Sequence, residues 1–308
     1  MVKALFRWYN SLVAKKILIT GITSLLGSTL TRVFDSHTVT GTFHTSVPPA
    51  DLALQAGVPL DITNPQMVTA LVKKIAPDVI VHLAAVSNIE YCQTHPQEAQ
   101  SINVQGTESV VAAAQQTNAH LVFLSSSMVF SGASAPFEEM AKPHPVNVYG
   151  QTKHEAELIV QKLKSSTVIR AASLLGWQPE TARTNDLTYY LPLLKENKPL
   201  HLVNDRFFNP LSALTAARAI QKIIEQEKFG VYHLAGCNRV TRFTLVKTIA
   251  EVFKIQQVNL IPIPSSYFPG LTPRPIDSTL ATEKMKAELG VTPPELKSEL
   301  NLLAHDKN

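Results

Sequence analysis

The chain has 308 residues, of which 45% are hydrophobic and 17% are charged, and its formal net charge is +4. This composition is typical of a globular enzyme and excludes a disordered chain, and no apolar run is long enough to span a bilayer. The net charge is too small, and the basic residues are too scattered, to indicate nucleic-acid binding. A chain of this length can bury a full core and suits one large α/β domain with an appended lobe.

Residues 1–15 are expected to form an N-terminal extension that packs on the surface or frays, because chain ends are usually poorly ordered. The extension mixes basic and large apolar side chains, so contact with a membrane surface or a partner is the alternative interpretation. It lacks the continuous apolar core of a signal peptide. The two cysteines, Cys92 and Cys237, are far apart and have no metal-type neighbours. We therefore expect reduced thiols, a cytoplasmic location and no metal site.

A glycine-bearing turn follows the short apolar run at residues 17–19. The residues after the turn have helical spacing, so this stretch predicts a strand, a tight turn and a helix. Gly21 opens the turn, Gly27 lets helix and strand pack closely, and Ser24 stands where a third glycine is usual. The backbone N–H groups at the start of such a helix can hold a pyrophosphate. Because glycine-spaced turns also occur by chance, the motif alone is only a hypothesis.

Strand-like and helical stretches then alternate along the chain. The strand-like runs are 39–43, 79–83, 121–124 and 168–170, and the helical stretches are 65–74, 97–116 and 150–164. This alternation predicts an α/β protein with a Rossmann-type doubly wound parallel sheet over residues 16–172 and returns near 200–235. Residues 173–308 are expected to form mainly a smaller C-terminal substrate-binding lobe, including the terminal helices from Ala281. In such a sheet, ligands bind at the carboxyl ends of the strands.

The residues after the second strand bear on the choice of cofactor. A site for NAD(H) usually has an acid about 20 residues after the glycine turn, and residues 41–45 contain none. His44 and two threonines are available to a 2′-phosphate, so NADP(H) is favoured and NAD(H) is the alternative. Asp61 follows the third strand and either accepts a hydrogen bond from an adenine amino group or forms a local turn with its own backbone.

Tyr149 and Lys153 carry the strongest chemical signal in the sequence. They are four residues apart on a predicted helix, so they share one face and can act on the same atom. An ammonium near a tyrosine lowers the pKa of the phenol, which suits proton transfer near neutral pH. A Tyr and Lys at this spacing is by itself only a surface pair. Its combination with the glycine turn and the serine run at 125–127 indicates a catalytic site.

Several motifs at strand ends resemble the extended short-chain dehydrogenase/reductase family. They are Thr20-Gly21 through Gly27, Leu83-Ala84-Ala85, Ser101-Ile102-Asn103, Ser125-Ser126 and Tyr149-Gly150-Gln151-Thr152-Lys153. Further stretches resemble the dTDP-4-dehydrorhamnose reductase branch of that family, namely 88–96, 128–132, 204–210 and Arg274-Pro275. The resemblance covers nearly the whole chain from Lys16 to about Leu289.

The resemblance implies a role for each matching residue. Ser126 would bond to the substrate carbonyl oxygen, Tyr149 would donate the proton, and Lys153 would hold the nicotinamide ribose and lower the pKa of Tyr149. Asn103 would support Lys153 through water. The expected cofactor contacts are Gly21, Thr23, Ser24, Leu25, Leu26, Gly27, His44, Asp61, Ile62, Leu83, Ala84, Ala85, Asn103, Tyr149 and Lys153. The expected substrate contacts are Ser125, Ser126 and Arg274, whose guanidinium matches the geometry of a phosphate.

The chain also departs from the pattern of this branch. Ser127-Met128 replace an Asp-Tyr pair, and Ser173 replaces a tryptophan that is associated with the sugar site. Trp177 is close to that position and is interpreted as a packed residue of the lobe. Thr215 stands where the pattern has an acid. These changes leave the identity of the sugar open.

The residues and the resemblance together predict an oxidoreductase of dTDP-rhamnose biosynthesis that reduces the 4-keto group of a nucleotide-linked 6-deoxy sugar with NADPH. One alternative is another enzyme of the extended family, such as a nucleotide-sugar epimerase. A second alternative is a non-catalytic NADP-binding regulator, because the regulatory subunit of methionine adenosyltransferase resembles the same branch. A nucleotide sugar is the expected partner, and a homodimer is compatible with the resemblance.

Overall fold

The computed structural model describes residues 14–50, 52, 54–180 and 182–306. Most of the predicted N-terminal extension therefore lies outside the described residues. The described strands are β1 Lys16–Thr20, β2 Thr38–Phe43, β3 Ala56–Pro59, β4 Val79–His82, β5 His120–Ser126, β6 Ser166–Ala171, β7 Leu174–Leu175, β8 Leu200–Val203, β9 Phe207–Phe208, β10 Leu211–Ser212, β11 Gly230–Leu234, β12 Val240–Thr241 and β13 Leu260–Ile263.

Helices connect and cover these strands. The described α-helices are α1 Leu25–Val33, α2 Pro65–Ile75, α3 Ile89–Thr94, α4 Pro96–Gln100, α5 Gly106–Thr117, α6 Val148–Val160, α7 Asp186–Lys195, α8 Ala213–Glu225, α9 Arg242–Val252, α10 Glu283–Leu289 and α11 Leu296–His305. Asn64 and Pro65 begin α2 as the sequence predicts, since Met67 N donates to Asn64 Oδ1 at 3.0 Å.

Seven strands form one parallel sheet in the order β3-β2-β1-β4-β5-β6-β11. The prediction of a Rossmann-type sheet is confirmed, and the return of α8 and β11 to this layer is confirmed with it. The strand order reverses between β1 and β4, where a doubly wound sheet opens a crevice for ligands. One core cluster on each face of the sheet packs the helices against it.

The predicted helix at 97–116 is divided into α4, a π-helical segment Ser101–Gln105 and α5. The wider turn lies where a Cβ on Gly106 would come within 2.7 Å of the Ile62 side chain. Such π-helical insertions often mark functional sites. Here the insertion contains Asn103, which is 1% exposed.

The C-terminal lobe has its own core, built from leucines and other apolar residues of α7, β8, β12, α9 and α11. The expectation that both terminal helices join this lobe is wrong for α10. Met285 and Leu289 of α10 are spaced four residues apart and are buried in the same core cluster as α8 and β11. α10 therefore belongs to the sheet layer, whereas α11 belongs to the lobe.

Glu299 of α11 supplies a carboxylate at the start of α8. Its oxygens accept hydrogen bonds from Ser212 N at 2.6 Å and from Thr215 Oγ1 at 2.8 Å. Thr215 is the position where the family pattern has an acid. The negative charge therefore stays at this helix N-terminus, where the helix dipole stabilises it, but it comes from a distant part of the chain.

Within the described residues, no helix is long and apolar enough to cross a membrane.

Candidate active site

The turn between β1 and α1 has the shape of a pyrophosphate cradle. Gly21 has φ +73°, and a Cβ there would come within 2.9 Å of Ala84 N. A Cβ on Gly27 would come within 2.6 Å of Gly21 O. Ser24, at the third glycine position, caps α1, because its hydroxyl donates to Gly21 O at 2.8 Å and accepts from Gly27 N at 3.1 Å. Serine thus closes the turn and leaves the start of the helix accessible.

A buried histidine holds this turn in place. Thr20 Oγ1 lies 2.7 Å from His82 Nδ1, and Thr107 Oγ1 lies 3.1 Å from His82 Nε2. Because Thr107 donates its own proton to Asn103 O at 2.7 Å, His82 must donate from Nε2 and accept at Nδ1. Burial and then the charge of Lys153 lower the pKa of His82 to about 3, so the ring is neutral. The chain of bonds links the end of β1 to the π-helical segment.

A cavity of about 810 Å³ runs from this turn to the predicted catalytic residues and on into the lobe. The sequence-predicted residues that line it are Ser24, Leu25, Leu26, Leu83, Ala85, Ser125, Ser126, Tyr149, Lys153 and Arg274. The free N–H groups at the start of α1 and the close approach of Gly21 to Ala84 fit a dinucleotide laid across the strand ends. When bound, a reduced nicotinamide would supply a hydride.

Gly21→Ala is expected to raise the Kd for NADPH by at least about tenfold, because the new Cβ would collide with the backbone at Ala84. Fluorescence titration with NADPH measures this change. Gly290→Ala is the matched control, since Gly290 has φ +68° and open space around its Cβ position. Both variants carry the same backbone strain, so equal Kd values would contradict the cradle.

Ser126, Tyr149 and Lys153 come together at the carboxyl end of β5. Ser126 is the last residue of β5, and Tyr149 lies in the first turn of α6, which Asn147 begins by accepting from Gly150 N at 2.8 Å. Gly150 is required there, because a Cβ would collide with Met128 O. Ser126 lies close enough to Tyr149 to lower the pKa of its phenol. The geometry therefore joins the predicted proton donor and the predicted carbonyl-binding hydroxyl.

The pKa values differ from the sequence expectation. Burial raises the pKa of Tyr149 to about 12, and the hydrogen bond with Ser126 lowers it only in part. The prediction that Lys153 brings this pKa toward neutrality is wrong for this structure, because burial outweighs the other effects. The phenol is therefore protonated at neutral pH, which is the state that a proton donor needs.

Lys153 is 3% exposed. Burial lowers its pKa to about 7, and the charge of Glu157 opposes this change. Its Nζ lies 4.0 Å from the centre of the Phe123 ring, which gives the ammonium a cation–π contact. Near neutral pH the lysine is thus poised between its charged and neutral forms.

A buried ion pair lies behind these residues. Arg170 Nη2 donates to Glu157 Oε2 at 2.8 Å, and Ser125 Oγ donates to Glu157 Oε1 at 2.5 Å. The hydroxyl of Ser125, a predicted substrate contact, is therefore bound to Glu157. Ser125 precedes Ser126 in β5, so its hydrogen bond to Glu157 helps to hold the end of this strand in place.

Asn103 joins the segment after β4 to α6 through its side chain. Asn103 Nδ2 donates to Val86 O and to Thr152 Oγ1, each at 3.0 Å, and Oδ1 accepts from Val86 N at 2.8 Å. It therefore reaches α6 through Thr152, the residue before Lys153. Its predicted role toward Lys153 stays a prediction.

Asp61 forms the local turn that was the alternative interpretation. Its Oδ1 accepts from Thr63 N at 2.9 Å and from Thr63 Oγ1 at 2.7 Å, and these bonds lower the pKa of Asp61. Ile62 is 6% exposed and packs in the core. His44 is exposed at the end of β2. The contacts of these residues and of Thr23 with a cofactor stay predictions.

The lobe contributes charged residues that the sequence did not single out as site residues. Those that line the cavity beside Arg274 are Arg183, Asp186, Arg206 and Arg242. Arg206 Nε is buried without a hydrogen-bond partner among the described residues. Burial and then the charge of Arg274 lower the pKa of Arg242 to about 10, so two guanidinium groups lie near each other. Guanidinium groups that line a cavity in this way are suited to bind an anion.

Ser173 departs from the family pattern, and Trp177 is the tryptophan close to it in the sequence. Ser173 Oγ donates to Asp186 Oδ2 at 3.1 Å. Trp177 packs in the lobe, where its Nε1 donates to Leu303 O at 2.8 Å and its ring meets Phe253 edge to face. The interpretation of Trp177 as a packed residue is confirmed, so it does not replace the missing tryptophan.

A family model described as the RmlD substrate binding domain matches residues 15–308. The chain belongs to this family. Membership in the RmlD substrate binding domain family confirms the resemblance that the motifs indicate. It also accounts for the continuity of the match through both the sheet layer and the lobe.

The relatives of this RmlD family member include both dTDP-4-dehydrorhamnose reductases and methionine adenosyltransferase subunits. A dTDP-4-dehydrorhamnose reductase of Shigella flexneri is 30% identical over 246 residues, which cover 76% of this chain and 81% of that protein. Methionine adenosyltransferase 2 subunit beta of Xenopus laevis is 27% identical over 281 residues, which cover 89% of this chain and 82% of that protein. The crystal structure of a Bacillus anthracis dTDP-4-dehydrorhamnose reductase in complex with NADP superposes with a TM-score of 0.86 at 24% identity, covering 96% of this chain and all of that one.

Proposed function

We propose that the protein reduces the 4-keto group of a nucleotide-linked 6-deoxy sugar, with a hydride from NADPH and a proton from Tyr149. The observation that carries the proposal is that Ser126, Tyr149 and Lys153 line one cavity together with the N-terminus of α1. The reductase relatives support the substrate class. NADP(H) is the proposed cofactor, in keeping with the NADP that is bound to the Bacillus anthracis structure. NAD(H) is the alternative.

In this proposal each residue of the chain has a separate task. Ser126 donates a hydrogen bond to the carbonyl oxygen of the sugar, where negative charge develops, and such a donor is worth about 10²- to 10³-fold in rate. Tyr149 delivers its proton to the same oxygen. Lys153 holds the ribose hydroxyls and, when charged, stabilises the phenolate that remains.

The arginines of the lobe that line the cavity, Arg206, Arg242 and Arg274, support a nucleoside diphosphate as the rest of the substrate. Arg242 pairs with Asp186 and Arg274 pairs with Glu90, whereas Arg206 Nε is buried and has no hydrogen-bond partner among the described residues. A diphosphate would satisfy Arg206, because its oxygens accept several charge-assisted hydrogen bonds. The sugar would then occupy the part of the cavity between these arginines and Tyr149.

Two alternatives are separated by experiment. The relatives named methionine adenosyltransferase 2 subunit beta favour the alternative of a regulatory subunit. A nucleotide-sugar epimerase would retain a tightly held NAD after purification. A homodimer and a cytoplasmic location stay predictions of the sequence.

The test is NADPH oxidation, followed by its absorbance, with dTDP-4-dehydrorhamnose as the substrate. Turnover that depends on both the sugar nucleotide and NADPH is the expected result. Tight NADPH binding without turnover would favour the regulatory subunit. Release of NAD from the denatured protein, without oxidation of added NADPH, would favour the epimerase.

A further inference from the structure

Asp186 is the unusual feature of the cavity wall, because it is an acid among arginines. It lies at the first position of α7, and its side chain is 19% exposed. Ser173 donates to its Oδ2, and Arg242 forms an ion pair with the same oxygen. Among the residues that the structure describes, none donates a hydrogen bond to Asp186 Oδ1. One oxygen of a fixed carboxylate is therefore left for a ligand in the cavity.

Two neighbours hold this carboxylate in one orientation. Arg242 lies over the Phe208 ring, with its guanidinium carbon 4.9 Å from the ring centre, which restricts the arginine. The Asn185 side chain begins α7 by accepting from Leu187 N at 3.0 Å, which fixes the backbone of Asp186. A group whose partners are fixed in advance loses little entropy when it binds a ligand.

The position of this group along the sheet places it at the sugar. Ser126 pairs with Ala171 across β5 and β6, and Ser173 follows Ala171 by two residues. Adjacent strands are about 4.8 Å apart and each residue spans at most about 3.5 Å, so the Cα atoms of Ser126 and Ser173 are within about 12 Å. Ser126, Ser173 and Asp186 all line the same cavity, so a ligand of the size of one sugar ring can contact both ends of this group.

The charge balance decides which chemical group would bind. The charge of Asp186 is already matched by Arg242, and the charge of Arg274 is matched by Glu90, whose Oε1 lies 2.8 Å from Arg274 Nη2. A second cation, such as the ammonium of an amino sugar, would therefore be disfavoured. A neutral hydroxyl can donate to Asp186 Oδ1 without changing this balance.

We infer that Asp186, positioned by Ser173 and Arg242, accepts a hydrogen bond from a ring hydroxyl of the sugar and makes the enzyme selective for substrates that carry this hydroxyl. The inference rests on the proposed function, because it places the reacting sugar between Ser126 and Asp186. Ser173 and Arg242 are positioning residues in it, and Asp186 is the residue that contacts the substrate.

The test compares a ligand with two analogues that each lack one of its hydroxyls. Binding of dTDP-rhamnose and of its 2-deoxy and 3-deoxy analogues is measured by titration calorimetry, and kcat/KM is measured with the corresponding 4-keto sugars. A hydrogen bond to a charged acceptor corresponds to about a tenfold to hundredfold preference of the wild type for the hydroxylated ligand over one of the analogues. In Asp186→Ala we expect this ratio to fall to about one.

Two further variants separate recognition from structure. Asp186→Asn keeps the shape and one neutral acceptor, which bonds about half as strongly, so its ratio should be near the square root of the wild-type ratio. Glu196→Ala removes an exposed carboxylate at the end of the same helix and should leave the ratio unchanged. A purely structural role for Asp186 would weaken all ligands equally and preserve the ratio, which would overturn the inference.

The two readouts distinguish this inference from the proposed function. Selective binding that Asp186→Ala abolishes, without turnover by the wild type, would retain the sugar subsite and reject the reductase. Turnover by the wild type with equal efficiency on all three keto sugars would retain the reductase and reject the subsite. Absence of both binding and turnover would reject both.

Discussion

Replacing Tyr149 by phenylalanine is expected to lower kcat by about 10²- to 10⁴-fold, because the change removes the proton donor. The Kd for NADPH is expected to stay within about fivefold of the wild-type value, since the phenol oxygen is the only atom lost and a single neutral hydrogen bond contributes about 1 kcal/mol. NADPH oxidation with dTDP-4-dehydrorhamnose measures the first quantity, and fluorescence titration measures the second.

Tyr190→Phe is the matched control for this prediction. Tyr190 lines the same cavity, and burial raises the pKa of its phenol to about 12 as well. The two substitutions thus delete the same atom from similar surroundings, but of the two phenols only that of Tyr149 has its pKa lowered by Ser126. Equal effects of the two variants on kcat would show that Tyr149 has no special role. Equal losses of kcat and NADPH affinity in Tyr149→Phe would indicate damage to the site as a whole.

The parts of the site that the sequence predicts well are the ones set by local chemistry. The turn at Gly21 requires a positive φ and a close backbone approach, and both requirements favour glycine at this position. The shared face of Tyr149 and Lys153 follows from helical spacing alone. The position of Ser126 at a strand end follows from the alternation of apolar runs, because parallel strands present their carboxyl ends to the same edge.

The parts that the sequence does not predict depend on contacts between distant segments. Arg183, Arg206 and Arg242 come from separate stretches of the lobe and converge only in the folded chain. Glu299 replaces an acid that the pattern places some 80 residues earlier, at Thr215. No local periodicity carries such information.

The pKa of Tyr149 is the most instructive difference between expectation and structure. The sequence places a lysine one turn away, which by itself lowers the pKa of a phenol. The structure adds burial, which raises this pKa to about 12 and also lowers the pKa of Lys153 to about 7, so that the lysine is only partly charged near neutral pH. A helix spacing predicts which groups meet, whereas their protonation depends on how deeply the rest of the chain covers them.

Lys153 is therefore expected to reduce the stability of the protein that it serves. Removing the charge in Lys153→Met should raise the free energy of unfolding at pH 6 by a few kcal/mol, because the folded chain no longer holds a buried ammonium. The same variant should lose most of its turnover, since the ribose contact and the charge beside the phenolate are gone. Thermal unfolding and NADPH oxidation measure the two effects.

The stability gained in Lys153→Met is expected to depend on pH. The pKa of Lys153 is about 7 in the folded chain and 10.5 in the unfolded chain, so between these values the unfolded chain binds more protons. The stability of the wild type therefore rises with pH through this range. The advantage of Lys153→Met should be largest below pH 7 and should shrink as the pH rises toward 10.5. Lys162→Met, which removes an exposed lysine just after α6, should change stability by less than about 0.5 kcal/mol at any pH.

An advantage of Lys153→Met that did not change with pH would mean that the methionine acts through packing and not through the missing charge. A loss of stability at pH 6 would mean that the contact with Phe123 and the charge of Glu157 more than offset the cost of burying the ammonium. If the advantage instead shrinks with rising pH as expected, the stability cost of Lys153 and its catalytic role have the same cause. The same burial that makes the ammonium costly also excludes water around the phenol of Tyr149, and within such a site each charge acts more strongly on the reacting oxygen.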